Sequence, residues 1–172
     1  MNKGVDWVTA NARKPAVANM SLGGPRSQAL DDAVTKSAAS GIFYSIAAGN
    51  DSMDACTQSP ARVGAGIDNG IATVAATDTS EAETSWSNYG SCVDIWAPGA
   101  NIRSTSKTGG TRTMSGTSMA APHAGGGAVL YLSSHTTTSP SGVESALKNA
   151  AKSTGTTSKD RRSILREYVG GF

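Results

Sequence analysis

Across 172 residues no apolar run approaches the roughly 18 residues that span a bilayer, which excludes a transmembrane helix. The opening stretch MNKGVDW has no apolar core of the signal-peptide kind, so a secreted protein of this sequence is expected to have its export signal outside this chain. Lysine and arginine are nowhere clustered and the net charge is only +2. That balance removes the electrostatic footprint of a nucleic-acid or anionic-membrane binder. Cysteine and histidine are scarce, at two each. Cys56 and Cys92 stand 36 positions apart, not at a metal-ligand spacing such as C-x2-C. A disulfide is the sharper reading, worth about 3–4 kcal/mol through the unfolded chain and implying an oxidising compartment. Two unrelated thiols are the alternative. No internal repeat is visible, and 38% hydrophobic residues in a chain of this length suffice for one domain, 1–172, with a sizeable core.

What is present is alternation. AVANMSL (16–22), IFYSIAA (42–48), IATVAA (71–76) and VDIWA (93–97) are short apolar runs ending at Gly, Asp or Pro, as buried parallel strands do. Between the first two, Leu30, Ala33, Val34, Ser37 and Ala38 fall at helical spacing, with Gly41 just past the end. Pro122 to Leu132 reads as an apolar, small-residue helix, and Ser139-Pro140 opens another whose Val143, Ala146, Leu147, Ala150 and Ala151 share a face. Stretches 104–118 and 133–142, rich in Ser, Thr and Gly, read as loops, and the tail SKDRRSILREYVGGF is charged around a short apolar core. The expected fold is α/β, a parallel, doubly wound sheet with flanking helices. Binding residues in such sheets gather at the carboxyl ends of the strands.

At those ends lie Ser21-Leu22-Gly23-Gly24 and Ala47-Ala48-Gly49-Asn50. Paired glycines admit a second backbone, and an asparagine carboxamide can donate to a developing oxyanion. A third stretch, SGTSMAAPHAGGG, sets Ser118 where a helix starts, beside unpaired N–H groups and the positive end of the helix dipole. Taken together, GTSMAAPH (116–123), AAGN (47–50), MSLGG (20–24) and SNYGSCVDIWAPG (87–99) resemble, in order and spacing, the subtilisin-like serine peptidases, most of all the branch of proteinase K and aqualysin. The resemblance runs from about Val5 to about Lys152. It implies a partial subtilisin-like architecture in which Ser118 is the nucleophile, and its own N–H and Asn50 form the oxyanion hole. It further implies that Ser21, Leu22 and Gly23, with Gly24 beside them, pair with an extended peptide, and that Ala47, Ala48 and Gly49 wall the primary specificity pocket. Cys56 and Cys92 match positions bridged in aqualysin-like members, and the family is secreted. The resemblance also makes Asp94 a calcium candidate, although the loop between Pro60 and Ile71 departs from the family pattern; no cofactor is otherwise required.

In that family the catalytic Asp and His precede the segment matching Val5, and neither motif is among these residues. His123 lies five residues beyond Ser118, about 140° around a helix, and is expected to be packed and hydrogen-bonded. His135, 17 residues on, is roughly 25 Å distant along a straight helix. Lys14, Lys107 and Asp51 are other conceivable partners, each read first as a solvated surface charge. Three functions compete. The chain is the nucleophile-bearing part of an endopeptidase, a self-sufficient hydrolase of activated esters or peptides with a rearranged base, or a silent binder of extended peptides. Two further expectations concern shape: the strand at 16–22 has an open edge that recruits a second copy, and Ala124-Gly125-Gly126-Gly127 loosens the nucleophile helix at about 1 kcal/mol per glycine.

Overall fold

The computed structural model describes residues 1–172. Its centre is a six-stranded sheet in the order β1-β3-β5-β6-β10-β9, built from β1 (Ala16–Met20), β3 (Ile42–Ala47), β5 (Ile71–Thr77), β6 (Ile95–Pro98), β9 (Lys152–Thr157) and β10 (Ser163–Arg166). All pairings are parallel except the β9–β10 hairpin. Helices α1 (Asn2–Asn11) and α2 (Gln28–Ala39) cover one face, and α3 (Thr117–Ser134) and α4 (Pro140–Ala150) the other. Short pieces β2 (Gly24–Pro25) and β4 (Gln58–Ser59) pair beside the sheet, and β7 (Ile102–Thr105) and β8 (Thr111–Met114) form a separate hairpin.

Strand β3 shows why the central runs are apolar throughout. Successive side chains point to opposite faces. Ile42, Tyr44 and Ile46 accordingly pack with Leu30, Val34 and Ala38 of α2, while Phe43 and Ala47 pack with Ala120, Ala121, Ala124 and Ala128 of α3. A strand enclosed by helices on both faces has no room for polar alternation. Two helices open on serine caps, the second at the Ser139-Pro140 start that the sequence indicated. Ser27 caps α2 by accepting from Leu30 N–H, and Ser139 caps α4 by accepting from Gly142 N–H, with Pro140 at the first position.

Two expectations need correction, and two features add to the reading of the C-terminal half. The Ser/Thr/Gly-rich stretch 104–118 holds most of the β7–β8 hairpin and the first two residues of α3, because backbone pairing does not need apolar side chains when both strands lie at the surface. The stretch 133–142 is a loop only between Ser134 and Pro140, since α3 runs to Ser134 and α4 begins at Pro140. The charged tail turns back after β9 and supplies β10. Ile164, fully buried, enters the cluster of Cys92, Val93 and Trp96, while Arg162 donates to Val93 O at 3.0 Å and Gly90 O at 2.5 Å. Finally, α3 is unbroken through its glycines. Gly125 and Gly127 are buried against neighbouring elements and only Gly126 faces open space, so close packing accounts for two of the three.

Candidate active site

The first turn of α3 is held from three directions. Gly116 N–H donates to Gly99 O at 2.8 Å, and an alanine at Gly99 would bring a Cβ within 2.9 Å of Gly116 O. Asn50 Oδ1 accepts from both Thr117 N–H (2.8 Å) and Thr117 Oγ1 (2.9 Å), and Thr117 Oγ1 accepts in turn from Gly49 N–H at 3.0 Å. The carboxamide oxygen of Asn50 is therefore committed twice, which orients Nδ2 as the free donor. Ser118 follows immediately, and as a first-turn residue its N–H has no acceptor within the helix. Its Oγ donates to Ser21 O at 3.2 Å.

Pro122 completes the local arrangement. A proline inside a helix cannot donate to the carbonyl four residues back, here that of Ser118, and the Ser21 hydroxyl donates to that oxygen instead at 2.7 Å. The end of β1 and the start of α3 are thus tied reciprocally through Ser21 and Ser118, 97 residues apart in sequence.

Ser118 lines two adjoining cavities. The first, about 170 Å3, is enclosed by Leu22, Gly23 and Gly24 on one side, Ala47, Ala48, Gly49 and Asn50 on the other, and Asp51, Gln58, Ala61 and Thr117. The second, about 320 Å3, lies between the β7–β8 hairpin and the Met119, Pro122 and His123 face of α3. Every residue the sequence singled out for substrate contact is brought to the first cavity except Ser21, which is bonded to Ser118 instead.

Other functional positions were not singled out. Thr117 is fully buried and relays Gly49 to Asn50. Asn88, also fully buried, accepts from Asp51 N–H (2.9 Å) and Met53 N–H (3.1 Å) and donates to Ala48 O (2.9 Å), so it moulds the whole AAGN turn. Its signal was an asparagine within SNYG, a stretch that reads locally as an ordinary turn. Gln58 and Ala61 reach the cavity through the short β2–β4 pairing, which no local pattern announces.

Neither histidine is hydrogen-bonded to Ser118. His123 is bonded to Met119 O at 2.8 Å through Nδ1, as expected, but it is exposed where packing was expected, because that face of α3 meets solvent. His135 caps the far end of α3, stacked on Tyr131 with ring centroids 4.2 Å apart. Cys56 and Cys92 form a disulfide with Cα atoms 5.3 Å apart.

Asp94 does not fit a calcium ion. Its Oδ2 accepts from Thr73 N–H at 2.8 Å, its Oδ1 faces the Lys148 ammonium at 3.7 Å, and burial pushes the carboxyl up to about 8. Both carboxylate oxygens thus already face protein donors, whereas calcium needs six to eight oxygens free to ligate it.

Fold and site together define an α/β protein that presents a helix-borne serine, with free donors beside it, at the carboxyl ends of parallel strands. The model of the subtilase family, peptidase S8, matches residues 1–169, and the chain belongs to that family. It is 51% identical over 161 residues to alkaline serine exoprotease A of Vibrio alginolyticus, covering 94% of this chain and 29% of that protein. It is 54% identical over 147 residues to the extracellular serine proteinase of Thermus sp. (strain Rt41A), covering 84% of this chain and 34% of that protein. The chain thus spans about a third of the length of these curated relatives. Among solved structures, a cold adapted subtilisin-like serine proteinase superposes with a TM-score of 0.88 at 44% identity, over 98% of this chain and 59% of that one. A protease of Pseudoalteromonas arctica PAMC 21717 gives 0.82 at 29% identity, over 96% of this chain and 55% of that one.

Proposed function

We propose that this chain carries the nucleophile and the substrate cleft of a subtilisin-like serine peptidase. Ser118 Oγ attacks the carbonyl carbon of an extended peptide, the carbonyl π pair moves to oxygen, and the resulting oxyanion is met by Ser118 N–H and Asn50 Nδ2. Collapse expels the amine and leaves an acyl ester on Ser118, which water hydrolyses. The observation that carries this reading is the double commitment of Asn50 Oδ1 to Thr117, which leaves the two donors beside Ser118 unengaged. Ser21, Leu22 and Gly23 are assigned to the backbone of the substrate, and the 170 Å3 cavity to the side chain preceding the scissile bond. The proton of Ser118 is assigned to a histidine–aspartate pair outside these 172 residues, which passes it to the departing amine nitrogen, since His123 is engaged with Met119 O and His135 lies at the far end of α3.

The test is hydrolysis of a chromogenic peptide and a p-nitrophenyl ester by the chain alone and with the remainder of a relative's catalytic domain added in trans, each beside Ser118→Ala. Peptide turnover that needs the added half and vanishes in Ser118→Ala is the expected result. Ester turnover by the chain alone, abolished in Ser118→Ala, would identify a self-sufficient hydrolase with a rearranged base. No turnover in any arm would leave a peptide-binding protein.

Secretion belongs to the same proposal. The Cys56–Cys92 bridge suits an oxidising compartment, and the Thermus relative is named as extracellular. So does self-association. Strand β1 pairs only with β3, and its outer edge adjoins an apolar groove of Val5, Val8, Ala18, Met20 and Leu22. Such edges recruit a further strand. Sedimentation is expected to show a dimer or larger assembly, and a monodisperse monomer refutes it.

A further inference from the structure

Where α4 meets the starts of β5 and β6, three carboxylates converge on one lysine. Lys148 Nζ lies 2.5 Å from Asp68 Oδ1, 3.2 Å from Glu144 Oε1 and 3.7 Å from Asp94 Oδ1. Glu144 and Asp94 are almost wholly withdrawn from water, with side-chain exposures of 0% and 4%, while Lys148 and Asp68 close the cluster toward solvent at 28% and 33%.

The second oxygens of Glu144 and Asp94 are spoken for. Glu144 Oε2 accepts from the N–H groups of Asn69 and Gly70, both at 2.8 Å, and of Ile71 at 3.3 Å, which pins the turn leading into β5. Asp94 Oδ2 accepts from Thr73 N–H, one residue pair further along the same strand. Glu144 therefore joins α4 to the Asn69–Ile71 turn, Asp94 joins the segment before β6 to β5, and Lys148 is the cation that reaches both.

An apolar interior cannot hold several carboxylates without a counter-charge. A divalent cation is one solution; here the position between the acids is filled by an ammonium on a four-carbon stem, and a metal ion entering would meet a fixed positive charge. We infer that Lys148 is a built-in counter-cation that takes the place of a structural metal at this junction, so that the packing of α4 against β5 and β6 holds without divalent ions. The inference concerns stability and is independent of the assignment of Ser118.

The experiment compares thermal unfolding of the full chain in EDTA and in millimolar calcium, together with Lys148→Met, Lys148→Arg and Asp94→Asn. The expected wild-type midpoint is the same in EDTA and calcium, or shifts by an amount that Asp94→Asn leaves unchanged, which locates any calcium elsewhere. Lys148→Met, which keeps the stem and removes the charge, is expected to lower the midpoint by roughly 5–10 °C, and Lys148→Arg to recover most of that loss. Failure of Lys148→Met to fold while Lys148→Arg folds has the same meaning. A wild-type calcium shift abolished by Asp94→Asn overturns the inference, as does a Lys148→Met protein as stable as the wild type.

Discussion

Replacing Glu167 by glutamine is expected to stabilise the protein at alkaline pH and to leave it nearly unchanged at pH 4. Glu167 follows β10 with its backbone N–H on Trp96 O, and its side chain lies against α3 at Gly127. The residue is 8% exposed, and its Oε1 has no hydrogen-bond partner. Burial raises its carboxyl from the ordinary 4.5 to about 7, against the opposing attraction of Arg166. The folded state thus favours the protonated form. The stabilisation is complete below the unfolded value of 4.5 and is lost as pH rises through about 7. At about 1.4 kcal/mol per tenfold change, that interval amounts to about 3 kcal/mol by pH 8. Glutamine keeps the shape without the charge but brings an amide that needs partners, so roughly 1–3 kcal/mol should be recovered. In a chain of this size the midpoint then rises by about 3–8 °C. Unfolding followed by circular dichroism from pH 4 to 9 should show the two proteins diverging as pH rises from about 4.5 and running parallel again above about 7. Parallel profiles across the whole range refute the argument.

The three glycines of α3 offer a paired test: Gly126→Ala, which meets nothing within 4 Å, should gain about 1 kcal/mol from helix propensity. Gly127→Ala would place a Cβ 2.1 Å from Glu167 Oε1, so that carboxylate must move and the variant should gain less than Gly126→Ala; equal shifts in urea unfolding of the two variants contradict that packing argument. In an assembly that turns over peptide, Asn50→Asp keeps an acceptor for Thr117 but removes the donor from the oxyanion, so turnover should fall about 100- to 1,000-fold, the loss already known for such a donor in a subtilisin. Unfolding midpoints within a degree or two would accompany it, and unchanged turnover removes Asn50 from the chemistry. Substituting Cys56 and Cys92 together by serine should cost about 3–4 kcal/mol, from a closed loop spanning 36 residues, measured as a lower denaturant midpoint with a steeper slope because the unbridged unfolded chain exposes more surface.

The strands at 16–20, 42–47, 71–77 and 95–98 and the helices α2 and α4 were legible because both faces of the sheet are covered and the capping signals are local. Ser118, Asn50 and the Leu22–Gly24 and Ala47–Gly49 walls of the first cavity were legible because the short runs that hold them, each at a strand end or a helix start, together resemble the subtilisin-like peptidases, whereas Thr117, Gln58 and Ala61 were not. Helix α1 was not, since Val5 is its one buried residue and no side chain caps its start.

By itself, then, the sequence determined an alternating α/β chain, placed a serine at a helix start and named the side chains that would surround it, since strand burial, capping and turn chemistry are written within a few residues. Only the tertiary structure decided how those groups face one another. Asn88 shaping the AAGN turn, Ser21 taking the carbonyl that Pro122 frees, the tail closing the sheet through Ile164 and Arg162, and Lys148 set among three acids all join residues far apart in the chain. Their partners are chosen by packing and by the need to satisfy every buried donor, acceptor and charge, and no local pattern carries that information.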